Sequence, residues 1–334
     1  MKAILGNLVN NNRAKLEEVI PLKTPYTITI DPCNLCNFKC NFCAMQVSAK
    51  KQQYQKKIME LGLYKKIIDD ITLFPEKLKI LRINGQGEPL LNKNFCEMVR
   101  YAKQRKVANF IETITNGSQL NPKLNQELID SGIDRIRISI EALDSIGYKD
   151  VAKANIYFDD FVWNIKDLYE RSKGKCEIYI KIVDVQLPNN QEKQRFYDIF
   201  GNICDRIFVD KVIPLWSDFA EINETYKING EIGVHGQAVQ NVQVCPYPFY
   251  SFLINPEGQV TACCADWQRK LILGDVSKEN LVEIWNGNRI RKLWIDHLKG
   301  RKNEYQMCQK CMLPMFDCND NIDQFASEIL KKFL

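Results

Sequence analysis

Apolar positions along this chain recur with two alternating periods. Residues 27–30, Thr-Ile-Thr-Ile, read as a strand, and the stretch 58–73 places Leu61, Tyr64, Ile68 and Ile71 on one face of a helix. Further strands are predicted at 78–83, 109–115, 135–140, 177–183 and 206–209, separated by helical patterns at 94–105, 122–131, 158–171 and 191–200. Consecutive parallel strands need a helix-length connection, so six such alternations predict a parallel sheet with right-handed crossovers. The pattern suits a doubly wound sheet and a barrel alike. Beyond it, 215–244 has no clear period and carries Trp216, Asp218, Glu221, Glu224, Tyr226 and His235. A long irregular segment of this kind is expected to line a substrate pocket. Asn255-Pro256-Glu257-Gly258 reads as the turn of a hairpin joining 249–254 to 260–263, and 320–333 as a closing helix.

Composition narrows the class. Hydrophobic residues make up 45% and charged residues 26% of the 334 positions, the profile of a globular protein with a substantial core. No apolar run approaches the ~20 residues that span a bilayer. The N-terminus carries no secretory signal, so a cytoplasmic protein without a membrane partner is expected. A net charge of +5 over 46 basic and 41 acidic residues, without a long run of one sign, gives no sign of nucleic-acid binding. The densest basic stretch, at 50–57, reads as a solvated loop and helix start.

Cysteine departs from this ordinary picture. Thirteen in a reduced compartment, clustered towards both ends, imply two metal centres. Cys36, Cys40 and Cys43 fall within eight residues directly after the first strand. Zinc would call for a second close pair or histidines, and His235 and His297 are both far away. A four-iron cluster needs a ligand on each iron, and three thiolates leave one iron open to chelate a small molecule. At the other end Cys245, Cys263, Cys308 and Cys311 supply four thiolates, enough for tetrahedral zinc or for a four-iron cluster, which spacing alone does not separate. Cys264 is an alternative to Cys263. Cys96, Cys176 and Cys204 fall at predicted helix or strand positions and are expected to be buried small residues.

The Cys-x3-Cys-x2-Cys spacing with Phe42 before its last cysteine resembles the signature of the radical S-adenosylmethionine (radical SAM) superfamily. Asn84-Gly85-Gln86-Gly87-Glu88-Pro89 is similar to that family's Gly-Gly-Glu-Pro segment, with Gln86 where the first glycine usually stands. The C-terminal pattern, Cys245-x12-Gly258-x4-Cys263, then Gly274-Asp275-Val276, 281–286 and Cys308-x2-Cys311, resembles the SPASM module or its shortened twitch form. The resemblance implies a partial (β/α)6 TIM-like barrel followed by a small cysteine-rich SPASM/twitch domain. It divides the chain into an extension at 1–24, a barrel at 25–214, a bridge at 215–244 and the module with its closing helix at 245–334.

It implies two [4Fe-4S] clusters and SAM as cofactors. Cys36, Cys40 and Cys43 would hold the SAM-binding cluster, and Cys245, Cys263, Cys308 and Cys311 a single auxiliary cluster. Phe42 would lie beside the adenine, and Gly85, Gln86, Gly87 and Glu88 at the SAM ammonium. Asn116, Ser139 and Glu141, at the ends of the third and fourth strands, match positions that contact ribose and carboxylate. Within the family, reductive cleavage of SAM gives a 5′-deoxyadenosyl radical that takes a hydrogen atom from the substrate. An epimerase also needs a thiol donor, for which Cys33 and Cys318 are the candidates. The expected reaction is oxidation, or epimerisation, of a carbohydrate or nucleotide-sugar, with flavodoxin, ferredoxin or a reductase as electron donor. Modification of a ribosomally made peptide is the alternative, less expected because only 32 residues precede Cys33 where a leader-binding domain would stand. A non-catalytic iron–sulfur electron carrier is the outside reading.

Overall fold

The computed structural model describes residues 1–6, 14–47, 55–213, 215, 230–234, 236–317 and 320–334. Cys318, His235, Lys50, Lys51 and the polar and aromatic residues singled out between Trp216 and Tyr226 lie outside them. Among the described residues ten strands form one sheet: β1 Ile4–Leu5, β2 Thr27–Ile30, β3 Leu78–Ile83, β4 Ala108–Thr115, β5 Arg135–Ile140, β6 Glu177–Val183, β7 Arg206–Asp210, β8 Ser251–Ile254, β9 Gln259–Thr261 and β10 Ile272–Asp275. Their order is β1-β7-β6-β5-β4-β3-β2-β8-β9-β10. All pairs from β1 to β8 are parallel, and β8-β9 and β9-β10 are antiparallel.

The six strands read from the sequence are the six central parallel ones, β2 to β7. Alternation along them separates two faces. Ile28, Ile30, Leu81, Ile83, Ile136, Ile138, Ile178 and Ile180 are buried in one core with helix residues such as Met98, Leu128 and Ile165. The opposite face carries Thr29, Arg82, Glu112, Arg137 and Lys181. The helices end where local chemistry predicts. Asn121 accepts hydrogen bonds from Lys123 N and Leu124 N, with Pro122 in the first turn, so that helix begins at Pro122. The first long helix spans Leu61–Ile71 and does not start at Ile58. Ile58 pairs with Cys33, and Met59 N–H donates to the Pro32 carbonyl, so the cysteine loop takes this backbone before the helix can.

Three features had no clear sequence signal. β1 adds to the edge at β7, a short helix at Ser145–Val151 follows β5, and an eleven-residue helix runs from Asn288 to Leu298. The C-terminal hairpin is the anticipated one, but its first strand, β8, lies parallel against β2, the strand that feeds the cysteine loop. The closing helix is Ala326–Lys331, shorter than read.

The C-terminal module is cemented by aromatic rings. Trp285 and Trp294 pack edge-on at 5.1 Å, and their indole N–H groups donate to the carbonyls of Leu22 (2.8 Å) and Pro248 (2.7 Å). Beneath them Asp296, 1% exposed, accepts from Lys292 Nζ (2.5 Å), Tyr305 Oη (2.6 Å) and Arg301. Burial alone would raise this carboxyl, but the hydrogen bonds from Lys292, Tyr305 and Arg301 outweigh it and hold it down at about 2 against an ordinary 3.8. Its contribution to stability is therefore complete above pH 3.8 and is lost as the pH falls through about 2. At neutral pH Asp296→Asn is expected to cost about 3 kcal/mol, read as an earlier urea midpoint, because it strands partners of a buried carboxylate. An unchanged midpoint would remove Asp296 from this role.

Candidate functional site

The cysteine loop is anchored at the C-terminal end of β2, the end at which barrels bind their ligands. Asp31, fully buried, accepts from Cys33 N (3.2 Å) and Gln86 N (3.1 Å), and burial raises its carboxyl to about 6. The loop after β3 lies directly on this backbone. A Cβ on Gly85 would stand 2.2 Å from the Asp31 side chain, and one on Gly87 would stand 2.2 Å from the Leu35 carbonyl oxygen. These glycines are required by the cysteine loop itself, whatever else approaches them.

Glu88 holds the arrangement from below. It is 2% exposed and accepts from Thr115 Oγ1 (2.6 Å), Asn116 N (2.7 Å) and Leu90 N (3.0 Å), while its own N–H donates to Leu35 O (2.7 Å). Burial pushes its carboxyl up to about 7. Both carboxylate oxygens thus face protein. The Asn116 side chain is engaged as well, donating to Asn37 Oδ1 (3.0 Å) and reaching Cys36 Sγ (3.9 Å). Ser139, half-buried, stands at the inward position near the end of β5, with Glu141 just beyond, buried and raised to about 7 by that burial.

Cys36, Cys40 and Cys43 are each partly buried. Cys43 N–H donates to the Cys40 carbonyl (3.0 Å), while Lys39 N–H and Asn41 N–H donate to Ala152 and Val151, so the loop leans on the end of the Ser145–Val151 helix. Burial pushes the Cys36 thiol up to about 11, with Glu88, Cys43 and Glu141 adding to it. Burial also pushes Cys40 up, followed by the charges of Glu141, Cys43 and Cys36. Cys36 and Cys40, two thiols that resist ionising, suit a cationic iron core that would neutralise them. Among the described residues no three His, Cys, Asp or Glu side chains converge on a single metal ion. Three thiolates on one loop can each take a different iron of a four-iron cluster.

Beside the loop opens a cavity of about 280 Å3, walled by Phe42, Cys43, Gly85 and Gln86 on one side and by Val212, Ile213, Leu215 and Trp267 on the other. Gln86 is 9% exposed and, among the described residues, neither its amide oxygen nor its nitrogen has a partner; buried Asn84 Oδ1 has none among them either. The open amide of Gln86 at the cavity wall suits a polar ligand. Cys33 is fully buried elsewhere in the loop, donating to Leu35 O (3.6 Å), and burial raises its thiol to about 11.

A second apolar pocket is lined by Cys245, Cys263, Cys308 and Cys311 together, closed by Pro248, Leu313 and the stem of Lys302. Adjacent Cys264 is exposed and does not line it. Lys302 Nζ donates to Val242 O (2.8 Å), which keeps a cation at the wall of this pocket. The sequence had singled out all four of these cysteines, but neither Lys302 nor Trp267. A lone lysine or tryptophan carries no spacing signal, and only the fold brings them to these walls.

Residues 30–188 match the family described as the radical SAM superfamily, and residues 245–312 match SPASM, an iron–sulfur cluster-binding domain. A tungsten-containing aldehyde ferredoxin oxidoreductase cofactor-modifying protein of Pyrococcus furiosus is 26% identical over 312 residues, covering 83% of this chain and 85% of that protein. Among solved structures, BtrN in complex with AdoMet and 2-DOIA superposes with a TM-score of 0.54 at 17% identity, over 86% of this chain and 92% of BtrN. Streptococcus suis SuiB bound to its precursor peptide SuiA superposes with a TM-score of 0.62 at 15% identity, over 92% of this chain and 74% of SuiB. At these identities the likeness to the solved structures is one of fold. No described helix is long and apolar enough to cross a membrane.

Proposed function

Because this chain belongs to the radical SAM superfamily and carries a SPASM module, with a SAM-binding four-iron cluster, an auxiliary cluster and SAM as its cofactors, we propose that it oxidises a carbohydrate or nucleotide-sugar by hydrogen-atom abstraction. The observation that carries this reading is the cavity at the end of β2. One wall is the cysteine loop, and part of the other, Trp267, stands four residues after Cys263. A substrate there would lie between the two metal centres. When bound, SAM and its cluster supply the 5′-deoxyadenosyl radical that removes a substrate hydrogen atom.

The protein's part is to bind, aim and exclude water. Cys36, Cys40 and Cys43 would hold the SAM-binding cluster. Phe42, the Gly85–Gly87 backbone and the open amide of Gln86 would border SAM, with Ser139 and Glu141 on the barrel rim. Glu88 and Asn116 act as struts that fix this rim. Cys245, Cys263, Cys308 and Cys311 would hold the auxiliary cluster. BtrN is a small-molecule complex and SuiB a peptide complex. The cavity, about 280 Å3 where small-molecule sites usually have ~300–1,000 Å3, would seat SAM and substrate together, which favours a compact small molecule over a peptide. A flavodoxin, a ferredoxin or a reductase would deliver the electron.

Oxidation passes the substrate radical's electron onward and returns no hydrogen, whereas epimerisation takes a new one from a protein thiol. Four thiols around one pocket account for an electron acceptor, while Cys33, the described donor candidate, is closed off from solvent. Candidate carbohydrates and nucleotide-sugars incubated with the reconstituted enzyme in deuterated water are expected to give a product lighter by two hydrogens and free of solvent deuterium. A product of unchanged formula carrying one carbon-bound deuterium, lost in Cys33→Ala or Cys318→Ala, would replace oxidation with epimerisation.

A further inference from the structure

The strand face turned away from the helices holds a charge ladder that the sequence reading did not use. Cross-strand register sets Thr29, Arg82, Glu112, Arg135 and Glu177 side by side from β2 to β6, and Arg137 beside Tyr179 one step further along β5 and β6. Glu112 is the hub. Its carboxylate, 1% exposed, accepts from Arg82 Nε (2.8 Å), Arg135 Nη1 (3.0 Å) and Arg137 Nη2 (3.2 Å). Arg135 is also paired with the half-exposed Glu177 (2.6 Å).

Three guanidiniums therefore share two carboxylates, and one cation is in excess. The shortfall falls on Arg82 and Arg137. Among the described residues, Arg137 Nε is buried without a partner, and Arg82 meets Glu112 through Nε alone. Burial, with Arg82 and Arg135 nearby, pulls Arg137 below its ordinary value despite Glu112. Arg82 keeps 39% of its side chain exposed, and it lies within electrostatic reach of Tyr250 and Cys264 of the C-terminal module. It is three residues before Gly85, which walls the cavity. Buried N–H groups of a cation left unpaired are costly, and a planar guanidinium matches an oxyanion's geometry.

The geometry points to an anion subsite at Arg82 and Arg137, on the inner face of the barrel, that seats a phosphate or carboxylate group of the substrate. This rests on the reading of the barrel interior as the substrate chamber, and it makes the substrate an anionic one. By register Thr29 stands beside Arg82, and Tyr179 beside Arg137. Either arginine can be removed without orphaning Glu112, which keeps two guanidiniums in each case.

The test titrates the reconstituted, SAM-loaded enzyme with inorganic phosphate and, separately, with acetate, at ionic strength held constant with chloride, and follows the melting temperature. Near saturation the favoured anion is expected to raise it by about 2–4 °C. Arg82→Gln and Arg137→Gln should each weaken the apparent affinity about tenfold or more, with circular dichroism and iron content as in the parent, and Arg137→Lys should recover part of the loss. A response to phosphate alone assigns a phosphorylated substrate, and a response to acetate alone a carboxylate. No response to either anion, or the same response in parent and variants, overturns the subsite. 5′-Deoxyadenosine formation by the parent enzyme is measured alongside, so that failure of the radical SAM reading shows separately from failure of the subsite.

Discussion

Replacing Cys36, Cys40 and Cys43 together with alanine is expected to abolish 5′-deoxyadenosine formation while leaving about half of the iron in place. Two four-iron clusters correspond to about eight irons and eight sulfides per chain after anaerobic reconstitution. The two sets of thiols lie in separate places, one on the loop after β2 and one around the pocket of the C-terminal module. Loss of the first set should therefore spare the second. Iron and sulfide analysis, with mass spectrometry of the nucleoside product, reads both quantities. Complete loss of iron would mean that the sites do not fill independently. Zinc in the C-terminal pocket of protein purified without oxygen would remove the auxiliary cluster from the account.

The second large effect is expected at Glu88. Alanine there leaves Thr115 Oγ1, Asn116 N and Leu90 N without their acceptor in a buried site. At about 1–3 kcal/mol for each stranded group, partly relieved by entering water, a loss of about 4 kcal/mol follows. Function should fall further than stability alone explains, because Asn116 reaches Cys36 and Asn37 from the backbone that Glu88 fixes. Glu88→Gln should be intermediate, since its carbonyl can keep some of these donors while its NH2 group faces others. Urea unfolding and SAM affinity measured on the same samples check this. Unchanged values for both variants would show that Glu88 is no strut.

The barrel strands were legible because inward and outward positions differ so sharply in chemistry. Ile136, Ile138 and Ile140 alternate with Arg135, Arg137 and Ser139, and both the strand and its orientation follow from that pattern. Cys36, Cys40 and Cys43 stood out as a set because they fall within eight residues, whereas Cys245, Cys263 and the Cys308–Cys311 pair lie far apart along the chain and were joined only by their resemblance to a known module. Other features depend on partners far away in the chain. Nothing in Thr27–Ile30 announces that Ser251–Ile254 will lie beside it, yet this pairing joins the C-terminal module to the cysteine loop. The glycines at 85 and 87 were read as room for a ligand, and their first neighbours are Asp31, Cys33 and Leu35. Glu88 and Asn116 look like ligand contacts in a motif and are bonded mainly to protein. Arg82 and Arg137 looked like ordinary strand charges until register placed both on Glu112.

The central claim is that the loop after β2 supports reductive cleavage of SAM. Its most direct test is mass spectrometry of the wild-type enzyme, anaerobically reconstituted and supplied with SAM and a strong reductant. The account predicts 5′-deoxyadenosine and methionine accumulating in equal amounts, with neither formed by the Cys36/Cys40/Cys43 triple-alanine variant. A wild-type enzyme with a full iron complement that leaves SAM intact, or a triple variant that cleaves it equally well, would contradict the account.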